Sequence, residues 1–301
     1  MKLTPRTKKL LTIALFAIVL ITLSGCTVPR NEDGSIVLIT NSTTFTEIFK
    51  NESWFSAIFV YPMAWVINHL ASPIGVGGAI ALVTAVVNTL LAAATLNATI
   101  SQQKMQMVQP ELDKITRKYE GRDDENSKMR MAAEQQALLR KHNINPGSML
   151  LLTFLQFPVI IAIYMAVQRS EAVQTGAFMG MNLKTTVMNG IKSAFAGDST
   201  GWSYLGLFIV MVILHACSML IPQYMQKKKA EEVARKHHRK PEEPSNQNKF
   251  MQYYMIGMIA VFGLMLPAAM SLYWSINSVV QIVKTVIVQN IIDKKEEGSK
   301  K

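Results

Sequence analysis

The chain has 301 residues, half of them hydrophobic and only 17% charged, with a mean hydropathy of +0.20. That balance excludes an ordinary soluble domain and points to apolar surface spent on contact with lipid. The net charge of +11 would suit nucleic acid, but in a membrane chain the placement of the basic residues carries the information.

The first segment reads as a targeting signal. Lys2, Arg6, Lys8 and Lys9 form a positive start, residues 10–23 an apolar stretch, and Leu23-Ser24-Gly25-Cys26 a small-residue cleavage site that ends in cysteine. The site resembles a lipobox, which makes residues 1–25 a removed lipoprotein signal peptide and Cys26 the lipidated first residue of the mature chain. An uncleaved signal anchor is the alternative. Both place the chain from Thr27 onward outside the cytoplasm, and two acyl chains on Cys26 give a stable anchor by themselves.

Apolar stretches long enough to span a bilayer, roughly 17 to 25 residues, occupy 76–100, 149–168 and 202–225. A fourth, 250–292, is about twice that length and holds Pro267 in its interior, where proline favours a break. It is therefore read as two limbs, 250–266 and 268–290. Residues 54–70 are rich in Trp, Phe and Ile but carry Asn68 and His69 and run into Pro73, Gly75, Gly77 and Gly78.

Loop charge decides between a span and a surface helix there. Residues 101–148 hold nine Lys or Arg, 226–249 eight and the tail from Lys284 five, whereas 27–75 and 169–201 hold two and three. Short basic loops stay in the cytoplasm, so one crossing precedes Ser101 and 54–70 becomes an interfacial amphipathic helix within the extracytoplasmic segment 26–75. The expectation is five spans with the mature N-terminus outside, an outer loop at 169–201, a basic cytoplasmic loop at 226–249 and a cytoplasmic tail at 291–301. Residues 101–148 read as a cytoplasmic helical hairpin of 102–119 and 126–142 about the turn Gly121-Arg122-Asp123-Asp124, with Leu112, Ile115 and Tyr119 as its seam. That hairpin either stands solvated near anionic lipid or docks a protein.

No phosphate loop, zinc helix or nucleophile elbow is present, the two cysteines are far apart, and the five histidines are scattered. These observations point to no enzyme, no metal site, no cofactor and no small-molecule substrate. Polar residues inside the spans are more informative, because hydrocarbon tolerates them poorly. Thr84, Asn88 and Thr95 follow helical spacing in the first span; Gln156, Gln223, Ser275, Asn277 and Gln281 lie in later ones. Their faces either line a wet cavity or make interhelical hydrogen bonds worth roughly 0.6 to 2 kcal/mol each.

Several stretches, taken in order, resemble the YidC/Oxa/Alb family of membrane protein insertases. Gln109-Pro110-Glu111-Leu112 with Lys118-Tyr119 is similar to its cytoplasmic hairpin, and Asn143-Ile144-Asn145-Pro146 to the hairpin's exit. Leu155-Gln156-Phe157-Pro158 with Ile163-Tyr164 is similar to its second span, and Leu266-Pro267-Ala268-Ala269 with Leu272-Tyr273-Trp274 and Asn277 to the start of its fifth. The lipobox and short outer segment resemble the Gram-positive lipoprotein branch.

The resemblance implies an all-α integral membrane protein of five transmembrane helices around a polar groove open to cytoplasm and lipid, lined by Thr84, Asn88, Gln156, Gln223, Trp274 and Asn277. It implies a monomeric insertase and chaperone, acting on nascent membrane proteins alone or with the Sec translocon, with the ribosome and membrane lipids as further partners. The chain departs from the pattern at Asn88, where the family usually has a groove arginine, and at Ala93 and Asn97, where it often has proline and then lysine. An amide holds water but does not attract an acidic segment as a cation does. A diverged paralogue serving as structural or regulatory partner of another membrane complex is the alternative.

Overall fold

A computed structural model describes residues 28–236 and 246–298; the signal peptide, Cys26 and His237 and His238 lie outside them. In chain order the elements are α1 (Phe45–Asn51), a π turn (Ser56–Val60) running into α2 (Tyr61–Ala94), α3 (Leu96–Lys118), α4 (Glu125–Lys141) and α5 (Pro146–Arg169). Next come α6 (Glu171–Thr175), a two-residue hairpin of β1 (Ala177–Phe178) and β2 (Met181–Asn182), α7 (Val187–Phe195), α8 (Gly201–Lys236), α9 (Asn246–Met265) and α10 (Ala268–Gly298). Among the described residues, three stretches are long and apolar enough to cross a membrane, Ser56–Ala94, Gly201–Met225 and Ala268–Lys294, and two shorter apolar helices, Phe154–Arg169 and Gln252–Met265, accompany them. The chain is mostly helical, as expected of an all-α membrane protein, and it forms two compact units.

Among the described residues, the first unit comprises those up to Val83 together with Gln156–Lys184. Thr44 starts α1 with a capping box, its hydroxyl accepting from the Glu47 N–H while the Glu47 carboxylate accepts from its own N–H. Ile39, Ile48, Phe55, Ala57, Val60 and Ala64 form a buried core with Ala162, Met165 and Ala166 of α5. The helix that begins at Ser56 does not run straight to Ala94. Pro73 withholds an N–H from the ladder, and Gly75 takes φ 74°, ψ 158°, a backbone that side chains resist. The expected boundary between an outer helix and the first span thus coincides with a break in the helix.

The second unit comprises Thr84–Leu155 and the chain from Thr185 on. Helical register is interrupted again at Thr95 (φ −108°, ψ 15°), and α3 continues into the basic hairpin. Gly121, at φ 77°, makes the turn and Asp124 caps α4, accepting from the Ser127 N–H at 2.8 Å. The seam lies deeper than Leu112, Ile115 and Tyr119 alone suggest. Val108, Leu112 and Ile144 form its buried centre with Met105, Leu138 and Leu139, Tyr119 is buried, and Ile115 is half-buried. Toward the turn, Glu134 accepts from Lys118 and from the Tyr119 hydroxyl, both at 2.7 Å.

The expected break at Pro267 separates α9 from α10. Residues 185–187 close it from the side: Ala268 N–H donates to the Thr185 carbonyl at 2.9 Å and Val187 N–H to the Leu266 carbonyl at 3.3 Å. α10 packs along α8, and α7 folds back on the start of α8. That last contact depends on glycine, since a Cβ on Gly190 would enter the Tyr204 ring and one on Gly201 would meet the Ala194 backbone.

Gly201→Ala is therefore expected to destabilise the protein by about 1 to 3 kcal/mol, because backbone cannot step aside as a side-chain tip can, and a lowered thermal midpoint in detergent would register it. In the hairpin, hydrogen bonds from Lys118 and then Tyr119 hold the Glu134 carboxyl below its usual range. Its contribution is complete above the ordinary glutamate pKa and is lost as pH falls through the depressed folded value. Amide protection factors at residues 118–134 of the full chain, corrected for the intrinsic exchange rate at each pH, should fall on acidification below that ordinary range, and Glu134→Gln should show the lower protection already at neutral pH.

Candidate functional site

Polar side chains inside the apolar helices are satisfied first by their own backbone. Asn88 Nδ2 donates to the Thr84 carbonyl at 2.8 Å, Thr95 Oγ1 to the Leu91 carbonyl at 2.6 Å and Thr99 Oγ1 to the Thr95 carbonyl at 3.1 Å. Thr84, Asn88, Thr95, Thr99 and Gln103 are all buried, so the helical spacing of the first three does place them on a covered face. Gln103, one turn beyond Thr99 on α3, reaches across instead, donating from Nε2 to the Thr285 carbonyl of α10 at 3.2 Å. Its Oε1 has no partner.

α10 carries the densest polar face. Ser271, Ser275, Ser278, Thr285 and Gln289 are buried along it, and Trp274 and Asn277 are half-buried. Ser271 Oγ donates to the Gly263 carbonyl of α9 at 3.2 Å, and Ser278 Oγ lies 3.5 Å from Nδ1 of His215 on α8. Tyr273 is fully buried, and its hydroxyl and the Asn277 Oδ1, one helical turn apart, lack protein partners. Buried polar atoms left in this way require water or a visiting polar group.

Of the expected groove residues, Thr84 and Asn88 are joined directly. Gln223 on α8 and Trp274 and Asn277 on α10 belong to two helices that pack along each other. Gln156 is half-buried on the part of α5 that belongs to the first unit. Among the described residues no group of three or more His, Cys, Asp or Glu is placed to hold a metal ion.

Sequence reasoning missed the polar centre of the first unit. Arg169, at the C-terminal end of α5, is fully buried; its guanidinium grips Glu52 with two hydrogen bonds, at 2.7 and 2.5 Å, and donates from Nε to the Val37 carbonyl at 2.9 Å. Beside it Asn68 Nδ2 donates to the Ile39 carbonyl at 2.5 Å, while its Oδ1 accepts from Ser170 Oγ at 2.6 Å and the Ala172 N–H at 3.0 Å. The signal was available: an arginine directly after an apolar run, and an asparagine inside another, each need a partner.

A family model described as "60Kd inner membrane protein" matches residues 66–296, more than half of the chain. The chain belongs to this family, the YidC/Oxa/Alb insertases. It is 27% identical over 270 residues to "Membrane protein insertase YidC" of Oceanobacillus iheyensis, covering 86% of this chain and 96% of that one. It is 25% identical over 232 residues to "Membrane protein insertase MisCA" of Bacillus subtilis, covering 76% and 77%. With "Membrane protein insertase YidC" of Mycoplasmopsis pulmonis it shares 29% over 243 residues, 78% of this chain but only 38% of that longer protein. The match to the family starts within α2 and ends near the end of α10, so it takes in residues of both units and every polar helix face described above.

Removing one partner of a buried ion pair strands the other charge and costs about 3 to 5 kcal/mol. Arg169→Met and Glu52→Met should each lower the thermal midpoint of the full chain strongly. The double variant, which leaves no orphaned charge, should recover much of the loss.

Proposed function

We propose that the protein inserts and folds nascent integral membrane proteins of the bacterial cell membrane through a polar groove open to cytoplasm and lipid. Membrane protein insertion is the function its family and relatives support. The groove reading rests on one observation above the others: Tyr273 Oη and Asn277 Oδ1, buried and unpartnered on the same face of α10. Such atoms suit an interior that holds water. Thr84, Asn88, Gln156, Gln223, Trp274 and Asn277 are its proposed lining.

In this reading five spans cross the membrane, near 76–100, 149–168, 202–225, 250–266 and 268–290. Residues 54–70 rest on the outer face, the mature N-terminus is outside and anchored through acylated Cys26, and the C-terminus is cytoplasmic. The charge bias of the loops supports that orientation. The groove hydrates the polar end of an incoming segment while its apolar part enters lipid. Each charged residue that would otherwise cross the bilayer centre costs about 2.5 to 3.5 kcal/mol on the insertion scale. Shortening that crossing is the whole act: no covalent bond is made or broken, and burial of the substrate's own helix supplies the driving force. The protein works as a monomer and chaperone, by itself or beside the Sec translocon, with the basic cytoplasmic loops as the surface for a ribosome.

The diverged-paralogue reading draws on Asn88, whose amide is tied to the carbonyl one turn back on its own helix. Photo-crosslinking residues at positions 88 and 274 should capture nascent membrane proteins, and clean absence of adducts at both would remove the groove. The wild-type chain should rescue cells depleted of their insertase. Failure of that rescue, with growth restored by Asn88→Arg, would favour the paralogue instead.

A further inference from the structure

The helix α7 shows one face to the protein and an unlike face to its surroundings. Val187, Gly190 and Ala194 are buried, at spacings of three and four, against the start of α8, whereas Met188, Lys192 and Phe195 are exposed at spacings of four and three on the opposite side. Phe195 is 77% exposed and Trp202 52%, and their rings meet edge to face with centroids 5.6 Å apart. Trp202 is the second residue of the candidate span Gly201–Met225. A helix that crosses a bilayer from Gly201 carries Trp202 at the level where hydrocarbon meets headgroups, the zone in which tryptophan concentrates. Phe195, in contact with it, is held at the same depth.

The stripe is also rigidly mounted. Gly190 and Gly201 allow α7 to lie against Tyr204 and against the start of α8, and the backbone bonds of Thr185 and Val187 to the Pro267 turn fix where α7 begins. The acid nearest along the chain, Asp198, is spent on the turn into α8, accepting from the Thr200 N–H at 2.9 Å and its hydroxyl at 2.7 Å. Lys192 thus stands among apolar side chains as an exposed cation on a stem long enough to reach a phosphate.

We propose that Met188, Phe195 and Trp202 seat in the headgroup boundary of the leaflet at the Gly201 end of α8, with Lys192 on the phosphate of an anionic phospholipid. This patch is continuous with the lipid-facing surface of the span itself, where Ile209, Val210 and Ile213 are exposed. The inference needs α8 to cross the membrane and does not need the protein to be an active insertase. It makes α7 a second support for the bundle, one that fixes the height of the outer end of α8 in the bilayer.

The test uses the full chain with Trp54, Trp65 and Trp274 replaced by Phe, reconstituted into vesicles of phosphatidylcholine and phosphatidylglycerol. Trp202 emission should be quenched strongly by lipids brominated near the headgroup, weakly by lipids brominated near the chain end, and little by iodide in the water. Bromine placed on phosphatidylglycerol should quench more than the same bromine on phosphatidylcholine, reflecting local enrichment of about fivefold at low salt, and Lys192→Gln should erase that preference. Strong iodide quenching with no effect of brominated lipid would overturn the proposal. So would protection from iodide that appears in native membranes and not in pure lipid, which would assign the patch to a protein partner. As a check independent of the triple replacement, Phe195→Cys in a Cys217→Ser chain, labelled with a polarity-sensitive dye, should report an apolar setting in vesicles; an aqueous signal there also overturns it. Insertion of a model substrate by the unsubstituted chain, in vesicles of the same lipid composition, reports separately on the insertase reading.

Discussion

Hydrocarbon offers no hydrogen bonds, and that single deficiency organises this chain. Every polar group carried into or beside the membrane must be answered by the protein itself. The answers come in three forms. Asn88, Thr95 and Thr99 return to carbonyls on their own helices, Gln103 and Ser271 reach to a neighbouring helix, and Arg169 is enclosed by Glu52 and the Val37 carbonyl. Even the backbone obeys the rule, since the carbonyl freed ahead of Pro267 accepts from Val187.

The few atoms left unanswered acquire meaning against that background. Tyr273 Oη and Asn277 Oδ1 lie on the helix with the densest polar face, and Gln103 Oε1 lies where α3 meets that same helix. An insertase must tolerate a partner that is polar at one end and apolar at the other. Buried atoms with unused bonding capacity are what the proposed groove would draw on to hold water.

Much of this was legible in the residues alone. Proline at 267 and glycine at 75 and 121 mark breaks through their backbone chemistry, and the helices end or kink there, whereas Pro110, Pro158 and Pro222 sit inside continuous helices. The spacing of Thr84, Asn88 and Thr95 marked a covered face, and charge separated basic loops from their neighbours. The hidden part is long-range. Glu52 and Arg169 are 117 residues apart, and nothing in either neighbourhood names the other. The seam of the hairpin shifted toward Val108 and Ile144 because its register depends on how two helices close, which periodicity leaves open. Residues 169–201 read as a connection between spans, yet they fold into α6, a small hairpin and α7, whose position comes from glycines beneath Tyr204 and beside Ala194.

The interruption at Thr95 has a mechanical meaning. Beyond it α3 extends for 23 residues, an arm of about 35 Å at 1.5 Å per residue. A change of direction of about 10° at that joint would sweep the far end through roughly 6 Å, with the seam at Val108 and Leu112 carrying α4 along as one piece. A small angular change at that joint is thereby amplified at the basic tip, against the hold of the Gln103 bond to the Thr285 carbonyl nearer the pivot.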